Sequence, residues 1–151
     1  MIDDVDRIMA VMAAAFDPEY REAWNRGQIE SALAFSNCHV ILISPQGLLP
    51  VDDEAAAGFI LSRTSLDEEE LLLFAVVPEF RGCGLGAKML ERLFQDCRTR
   101  EVTDIHLEMR RGNPAENLYR TRGFAPVGQR PNYYRTSSGL SIDAITFRLS
   151  L

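Results

Sequence analysis

The stretch Phe80-Arg-Gly-Cys-Gly-Leu-Gly-Ala-Lys-Met-Leu90 follows an almost unbroken apolar run, Leu71-Leu-Leu-Phe-Ala-Val-Val77, and opens into a helical pattern. An apolar run of this length closed by a proline reads as a strand. Beyond it Leu85, Met89, Leu90, Leu93, Phe94 and Cys97 fall on one face of a helix spanning residues 85 to 99. Gly82, Gly84 and Gly86 stand at the junction. Backbone N–H groups at a helix start, with the positive end of the helix dipole behind them, bind anions, and glycine lets an anion approach closely. The junction therefore reads as a phosphate cradle; a glycine-rich turn that merely closes the connection is the competing reading.

Working outward, Val5, Ile8, Met9, Met12, Ala13 and Phe16 recur at helical spacing and Trp24, Ile29 and Leu33 follow more loosely, which predicts two amphipathic helices over residues 3 to 35, broken near Asp17-Pro18. His39–Ile43 and Ala57–Ser62 read as short strands, and Glu70–Val77 as a third. Thr103–Arg110 alternates with period two: Ile105, Leu107 and Met109 face one way, His106, Glu108 and Arg110 the other. A short helix near Pro114–Arg122, a Gly123-Phe124 stop and a last strand around Asp143–Leu149 complete the order α-α-β-β-β-α-β-α-β. This order predicts one mixed α/β domain over residues 1–151.

Composition narrows the function classes. A chain of 151 residues, 46% hydrophobic and 25% charged, can bury a core without disulfide or metal. Cys38, Cys83 and Cys97 show no paired spacing and His39 and His106 stand apart, so no metal is expected. The net charge of −6 argues against a nucleic-acid partner and is compatible with a basic peptide or amine. No apolar stretch is long enough for a membrane span and the first residues are acidic, so no membrane partner and a cytoplasmic location are expected.

The glycine spacing selects among phosphate cradles. A Walker loop needs Gly-Lys-Ser/Thr, whereas Lys88 lies two residues past Gly86 and precedes Met89; a dinucleotide fingerprint needs G-x-G-x-x-G early in the chain. Neither fits. Arg81-x-x-Gly84-x-Gly86 resembles instead the R/Q-x-x-G-x-G/A loop of the GNAT N-acetyltransferase superfamily, and residues 55 to 150 resemble most its RimI type, which acetylates the N-terminal amine of a ribosomal protein. The resemblance rests on Ala75-Val-Val-Pro-Glu-Phe-Arg-Gly-Cys-Gly-Leu-Gly86, His106-Leu-Glu-Met-Arg110, Asn113-Pro-Ala-Glu-Asn-Leu-Tyr-Arg-Thr-Arg-Gly-Phe124, and Arg130-Pro-Asn-Tyr-Tyr134 with Gly139 and Asp143-Ala144. In two respects the sequence departs from the pattern: Asn113 and Tyr119 are six residues apart where the family has seven, and the family's first strand is not visible before Val5.

The resemblance implies a mostly antiparallel sheet with helices on both faces and a splayed acetyl-CoA cleft. It implies that Gly82, Cys83, Gly84, Leu85, Gly86 and Ala87 hold the pyrophosphate of acetyl-CoA, with Asn113 touching the pantetheine or its phosphates. Backbone groups of Phe74, Ala75 and Val76 would meet the thioester. Glu108 matches the general base and Tyr119 the general acid; read alone, they are a surface glutamate paired with Arg110 or Arg111 and a packed core tyrosine. Arg81 is expected to cap or steer, and Cys83, with no histidine near it in sequence, to take no part in chemistry.

On the acceptor side, Trp24, Tyr133 and Tyr134 are the candidate contacts, although a lone tryptophan on an amphipathic helix is more often core. Asp17, Glu19, Glu22 and the run Asp67–Glu70 could attract a basic peptide, or simply be solvated. The implied reaction is acetyl transfer from acetyl-CoA to a protein N-terminus, such as that of a ribosomal protein. Acetylation of a small amine and a non-catalytic acyl-CoA sensor are the alternatives; the presence of both Glu108 and Tyr119 speaks against the sensor.

Overall fold

In the computed structural model, which describes residues 2–151, the N-terminal apolar periodicity becomes helix α1 (Asp4–Ala15) and helix α2 (Arg26–Leu33). Each starts with a reciprocal cap, Asp3 with Asp6 and Asn25 with Gln28, in which side chains take up backbone donors that the first turn leaves unpaired. Between them Asp17 caps a 3-10 turn at Pro18–Tyr20, and Arg21, at φ 54°, ends it.

Six strands form one sheet: β1 (Cys38–Ile43), β2 (Gly58–Ser65), β3 (Glu68–Val76), β4 (Asp104–Arg110), β5 (Ala125–Arg135) and β6 (Ser141–Ser150), in the order β1-β2-β3-β4-β6-β5. Every pairing is antiparallel except β3 with β4, whose connection contains helix α3 (Leu85–Thr99); helix α4 (Glu116–Thr121) follows β4. Phe59, Ile60 and Leu61, consecutive on β2, are all fully buried, so both faces of the sheet are covered there. Helices α1 and α3 both pack on β2 and β3. No helix among the described residues is long and apolar enough to cross a membrane.

The expected mixed, mostly antiparallel architecture is present, but the periodicity predicts five strands and the sheet has six. The additional strand is β5. It lies at the sheet edge, Tyr134 alone of its residues is not fully exposed, and it carries Pro126, Gly128 and Pro131. A strand with neither face buried has no apolar alternation to betray it.

The feature that shapes the site is the brevity of the β3–β4 pairing. It extends only over Glu68–Glu70 against Asp104–His106. Just beyond, Leu61 of β2 faces Leu73 while Ser62 faces Leu71, so Leu72 is an extra residue in β3. Such a bulge bends its strand, and from there the outer halves of β3 and β4 diverge.

The acidic run at the closed end of this V is not a solvated turn. Glu69 is fully buried, accepts hydrogen bonds from Ser62 Oγ (2.5 Å) and Thr64 Oγ1 (2.5 Å), and pairs with Arg100 at 3.1 Å. Glu68 pairs with Arg148 and Glu70 with Arg63. Removing the buried carboxylate leaves a largely covered guanidinium and two hydroxyls without their partner. Glu69→Ala is expected to lose about 3 kcal/mol of stability, a fall in Tm of roughly 6–12 °C in a thermal melt.

Candidate active site

The two arms of the V are built from residues that the strand ladders leave free. Val77 N–H donates to Ala57 O at 2.8 Å, so Val77–Ala57 is a hydrogen-bonded pair, and the antiparallel alternation makes Ala75–Phe59 the next one. The peptide groups of Ala75 are thus committed to β2. Those of Phe74 and Val76 point away from it, into the gap. The carbonyl of Val76 accepts from Arg81 Nε at 3.0 Å, and Arg81 Nη2 reaches Ala15 O at 3.0 Å. Arg81 therefore braces the loop between β3 and the end of α1.

The glycines divide their work. Gly82 and Gly84 have φ of 77° and 82°, with open space where a Cβ would stand, so backbone conformation alone calls for glycine. Gly86 has no such angle, but a Cβ there would meet Leu118 Cδ2 at 2.9 Å and Phe74 Cζ at 3.0 Å. It permits α3 to sit close to α4 and β3. Gly84 is also the N-cap of α3 and supplies no side-chain acceptor, which leaves the first-turn N–H groups of Leu85, Gly86 and Ala87 available to an anion.

A cavity of about 710 Å³ runs along this edge, lined by Phe74, Ala75 and Val76 on one arm, by Gly82, Gly84, Leu85, Gly86 and Ala87 at the helix start, and by Arg110 and Asn113 on the other arm. Cys83 is exposed, its thiol turned to the carbonyl of Arg81, and it does not line the cavity. A second cavity of about 130 Å³ lies deeper in the V and contains Glu108, Tyr119 and Tyr134. Glu22, Phe74 and Asn113 line both, so the two spaces meet there. The shortened Asn113–Tyr119 interval is taken up locally: Asn113 Oδ1 accepts the N–H of Ala115 at 2.9 Å and its carbonyl that of Glu116 at 3.1 Å, turning the chain straight into α4.

Tyr119 is 4% exposed, and its ring packs edge-on against Phe74 and Phe124, each at 5.7 Å between centroids. Burial first, and the carboxylate of Glu22 second, push its hydroxyl well above the ordinary tyrosine range. Tyr134, half-buried, is pushed up to about 12 by burial, with Glu108 and then Glu22 adding to the effect. Glu108 pairs with Arg130 Nε at 3.0 Å and accepts from Thr146 Oγ1 at 3.2 Å, not from the Arg110 or Arg111 that a surface reading suggests. Arg110 pairs with Glu22 at 3.3 Å and stacks over the ring of Tyr20, 3.6 Å from its centroid.

Of the three aromatic acceptor-side candidates, only Tyr134 reaches these cavities; of the acidic ones, Glu22 lines both and Asp17 the larger. Tyr133 is 53% exposed and packs edge-on against Tyr134, and Trp24 is half-buried against the core, its backbone N–H donating to Met12 Sδ. The groups that sequence reasoning underrated are Tyr20, Glu22, Arg110 and Arg130, which come from four separate parts of the chain. Arg110 stood on the polar face of β4, Glu22 among the acidic residues suited to a basic peptide and Arg130 at the head of the Arg130–Tyr134 motif; of the four, Tyr20 alone carried no signal.

A helix start with uncapped amides thus stands beside a strand edge with free peptide N–H groups, and the channel between them meets a chamber that holds a carboxylate and a buried tyrosine. The sequence matches the Acetyltransferase (GNAT) family over residues 9–124. The chain belongs to the GNAT family. Among its relatives, the [ribosomal protein bS18]-alanine N-acetyltransferase of Salmonella typhimurium is 40% identical over 100 residues, 66% of this chain and 67% of that protein. The protein of the same name from Haemophilus influenzae is 36% identical over 89 residues, 59% of this chain and 61% of that one, so the matched stretch spans less than two thirds of that relative. The crystal structure of the ribosomal-protein-S18-alanine N-acetyltransferase from Escherichia coli superposes with a TM-score of 0.80 at 28% identity, covering 99% of this chain and 90% of that one. The family's acetyl donor is acetyl-CoA, and the two kinds of free backbone group here, amides at a helix start and peptides on a strand edge, fit its pyrophosphate and its amide-bearing arm.

The two perturbed tyrosines set a pH signature for this GNAT site. Both keep their protons in the folded chain at pH values where the unfolded chain's tyrosines ionise, near 10. Their contribution is intact below pH of about 10 and lost as pH rises beyond it, since the unfolded state then binds fewer protons. Urea unfolding at about pH 9 and about pH 11 should show this loss, and the Tyr119→Phe, Tyr134→Phe double variant should show a shallower one.

Proposed function

We propose that this protein acetylates the N-terminal α-amine of a protein, with a ribosomal protein as substrate and acetyl-CoA as donor. The observation that carries the reading is the junction of the two cavities: a carrier-sized channel along β3 and α3 opens, at Phe74 and Asn113, onto a small chamber holding Glu108 and Tyr119. Kinship with [ribosomal protein bS18]-alanine N-acetyltransferases supports the choice of acceptor.

In this reading Glu108 takes a proton from the acceptor ammonium, directly or through water, and frees the lone pair of the nitrogen. The amine attacks the thioester carbonyl. As charge develops on the carbonyl oxygen, the N–H groups of Phe74 and Val76 that β2 leaves free are the nearest backbone donors on that arm. The carbon–sulfur bond then breaks, Tyr119 gives its proton to the departing thiolate, and the second proton left on the acetylated nitrogen passes through water to the tyrosinate. Burial keeps that hydroxyl protonated before transfer. Gly82, Gly84, Leu85, Gly86 and Ala87 hold the pyrophosphate, Asn113 lies along the pantetheine, and Tyr134 bounds the acceptor.

The test is titration with acetyl-CoA and a thiol-release assay with a peptide beginning Ala-Arg, set against a panel of small amines. Binding without release from any amine would overturn the enzymatic reading; release with small amines alone would overturn the protein acceptor. Glu108→Gln is expected to lower kcat/KM for the peptide by about 10²–10⁴-fold, most severely at low pH, where unassisted deprotonation is rare. Tyr119→Phe is expected to lower kcat by about 10²-fold with acetyl-CoA affinity retained.

A further inference from the structure

The ladder joining β5 to β6 loses register beside the site. Arg130 faces Ala144 and Tyr134 faces Ile142, so Pro131, Asn132 and Tyr133 stand opposite Asp143 alone. An excursion of this size leaves backbone donors that the partner strand cannot reach. The Asp143 carboxylate reaches one of them. One oxygen accepts the N–H of Asn132 at 2.9 Å, where the chain turns through a φ of 55°; the other accepts Gln129 Nε2 at 2.7 Å, with Arg111 Nε at 3.6 Å. The backbone bond from Asn132 is also the largest of the influences that hold this carboxyl below its ordinary range.

The residues that bound the excursion are the two that β5 sends to the chemistry. Arg130 pairs with Glu108, and Tyr134 lines the smaller cavity; Asp143 lines neither cavity. We propose that Asp143 is a positioning residue for the acceptor: by closing the bulge of β5 it holds Arg130 on Glu108 and Tyr134 at the chamber wall. The role rests on the acetyl-transfer reading for its catalytic consequence, but not for its structural one. Asp143 does not touch the donor channel, so its effect falls on the acceptor alone.

The test compares Asp143→Ala and Asp143→Asn in the full chain by three measurements: exchange of the Asn132 amide with solvent, acetyl-CoA binding, and peptide kinetics. Asp143→Ala should speed Asn132 exchange by about tenfold or more, as expected when a backbone bond of this kind is lost. It should leave acetyl-CoA affinity within about twofold and raise KM for the acceptor peptide by about tenfold, with a smaller change in kcat. Asp143→Asn keeps an oxygen for Asn132; it gives up the exposed ion pair with Arg111 and requires the exposed Gln129 amide to turn and accept instead of donate, so it should recover most of both losses. Unchanged Asn132 exchange in Asp143→Ala, equal loss of acetyl-CoA and acceptor affinity, or no recovery in Asp143→Asn would each overturn the proposal. If the unaltered protein turns over no amine, the acetyl-transfer reading fails, while the exchange and acetyl-CoA measurements still decide whether Asp143 holds the bulge.

Discussion

Everything in the site depends on β3 and β4 being paired at one end and apart at the other. Three residues of each strand are in register, and then the extra residue Leu72 bends β3 away. Separated parallel strands normally waste hydrogen-bonding groups, which is costly when those groups are covered. Here the gap opens into a channel, and the peptides of Phe74 and Val76 are turned toward it by the same alternation that commits Ala75 to β2. The buried Glu69 cluster pins the closed end of the V. Gly86 draws α3 and α4 together over the open end, so that the unpaired amides of α3 and the unpaired peptides of β3 line one continuous surface.

The chemistry of the chamber follows from which charges lie next to which rings. Glu22 and Glu108 each carry a guanidinium partner, Arg110 and Arg130 respectively; Glu22 acts on the buried Tyr119, and both carboxylates act on the half-buried Tyr134. A phenol beside carboxylates and out of water is held neutral. In the proposed reaction this separates two roles at one pH: a carboxylate to accept a proton and a hydroxyl that retains one. Both arginines come from the β4 side of the cleft, one from β4 itself and one from the bulged edge strand β5, so segments far apart in the chain meet at this wall.

Legibility followed burial. Helix α3 and strand β4 have one face in the core and one facing outward, and their apolar periods located them to within a residue or two. The glycine loop was legible because backbone angles at Gly82 and Gly84 exclude other residues. Strand β5 was not, because an exposed edge leaves no hydrophobic record. The acidic run Asp67–Glu70 misled for the converse reason: Glu69 is charged yet fully buried, and only a set of partners drawn from β2 and α3 makes that tolerable. Trp24, a candidate contact on the acceptor side, packs against the core, the commoner fate of a lone tryptophan near an amphipathic helix.

What the amino-acid sequence determined by itself was local and periodic: the helices with their caps, the core strands, the glycine turn at the start of α3, and the positions of Glu108 and Tyr119 on their elements. Those properties depend on residues within a few positions of one another, where backbone angles and hydrophobic period dictate the outcome. The tertiary structure alone decided which peptide groups of β3 were left free, which arginine met Glu108, and which aromatic residues reached the chamber. Those outcomes arise from contacts between segments as far apart as Glu22 and Arg110 or Glu108 and Arg130. No short-range pattern encodes such pairings, because they exist only once the sheet has brought the ends of β3, β4 and β5 around one gap.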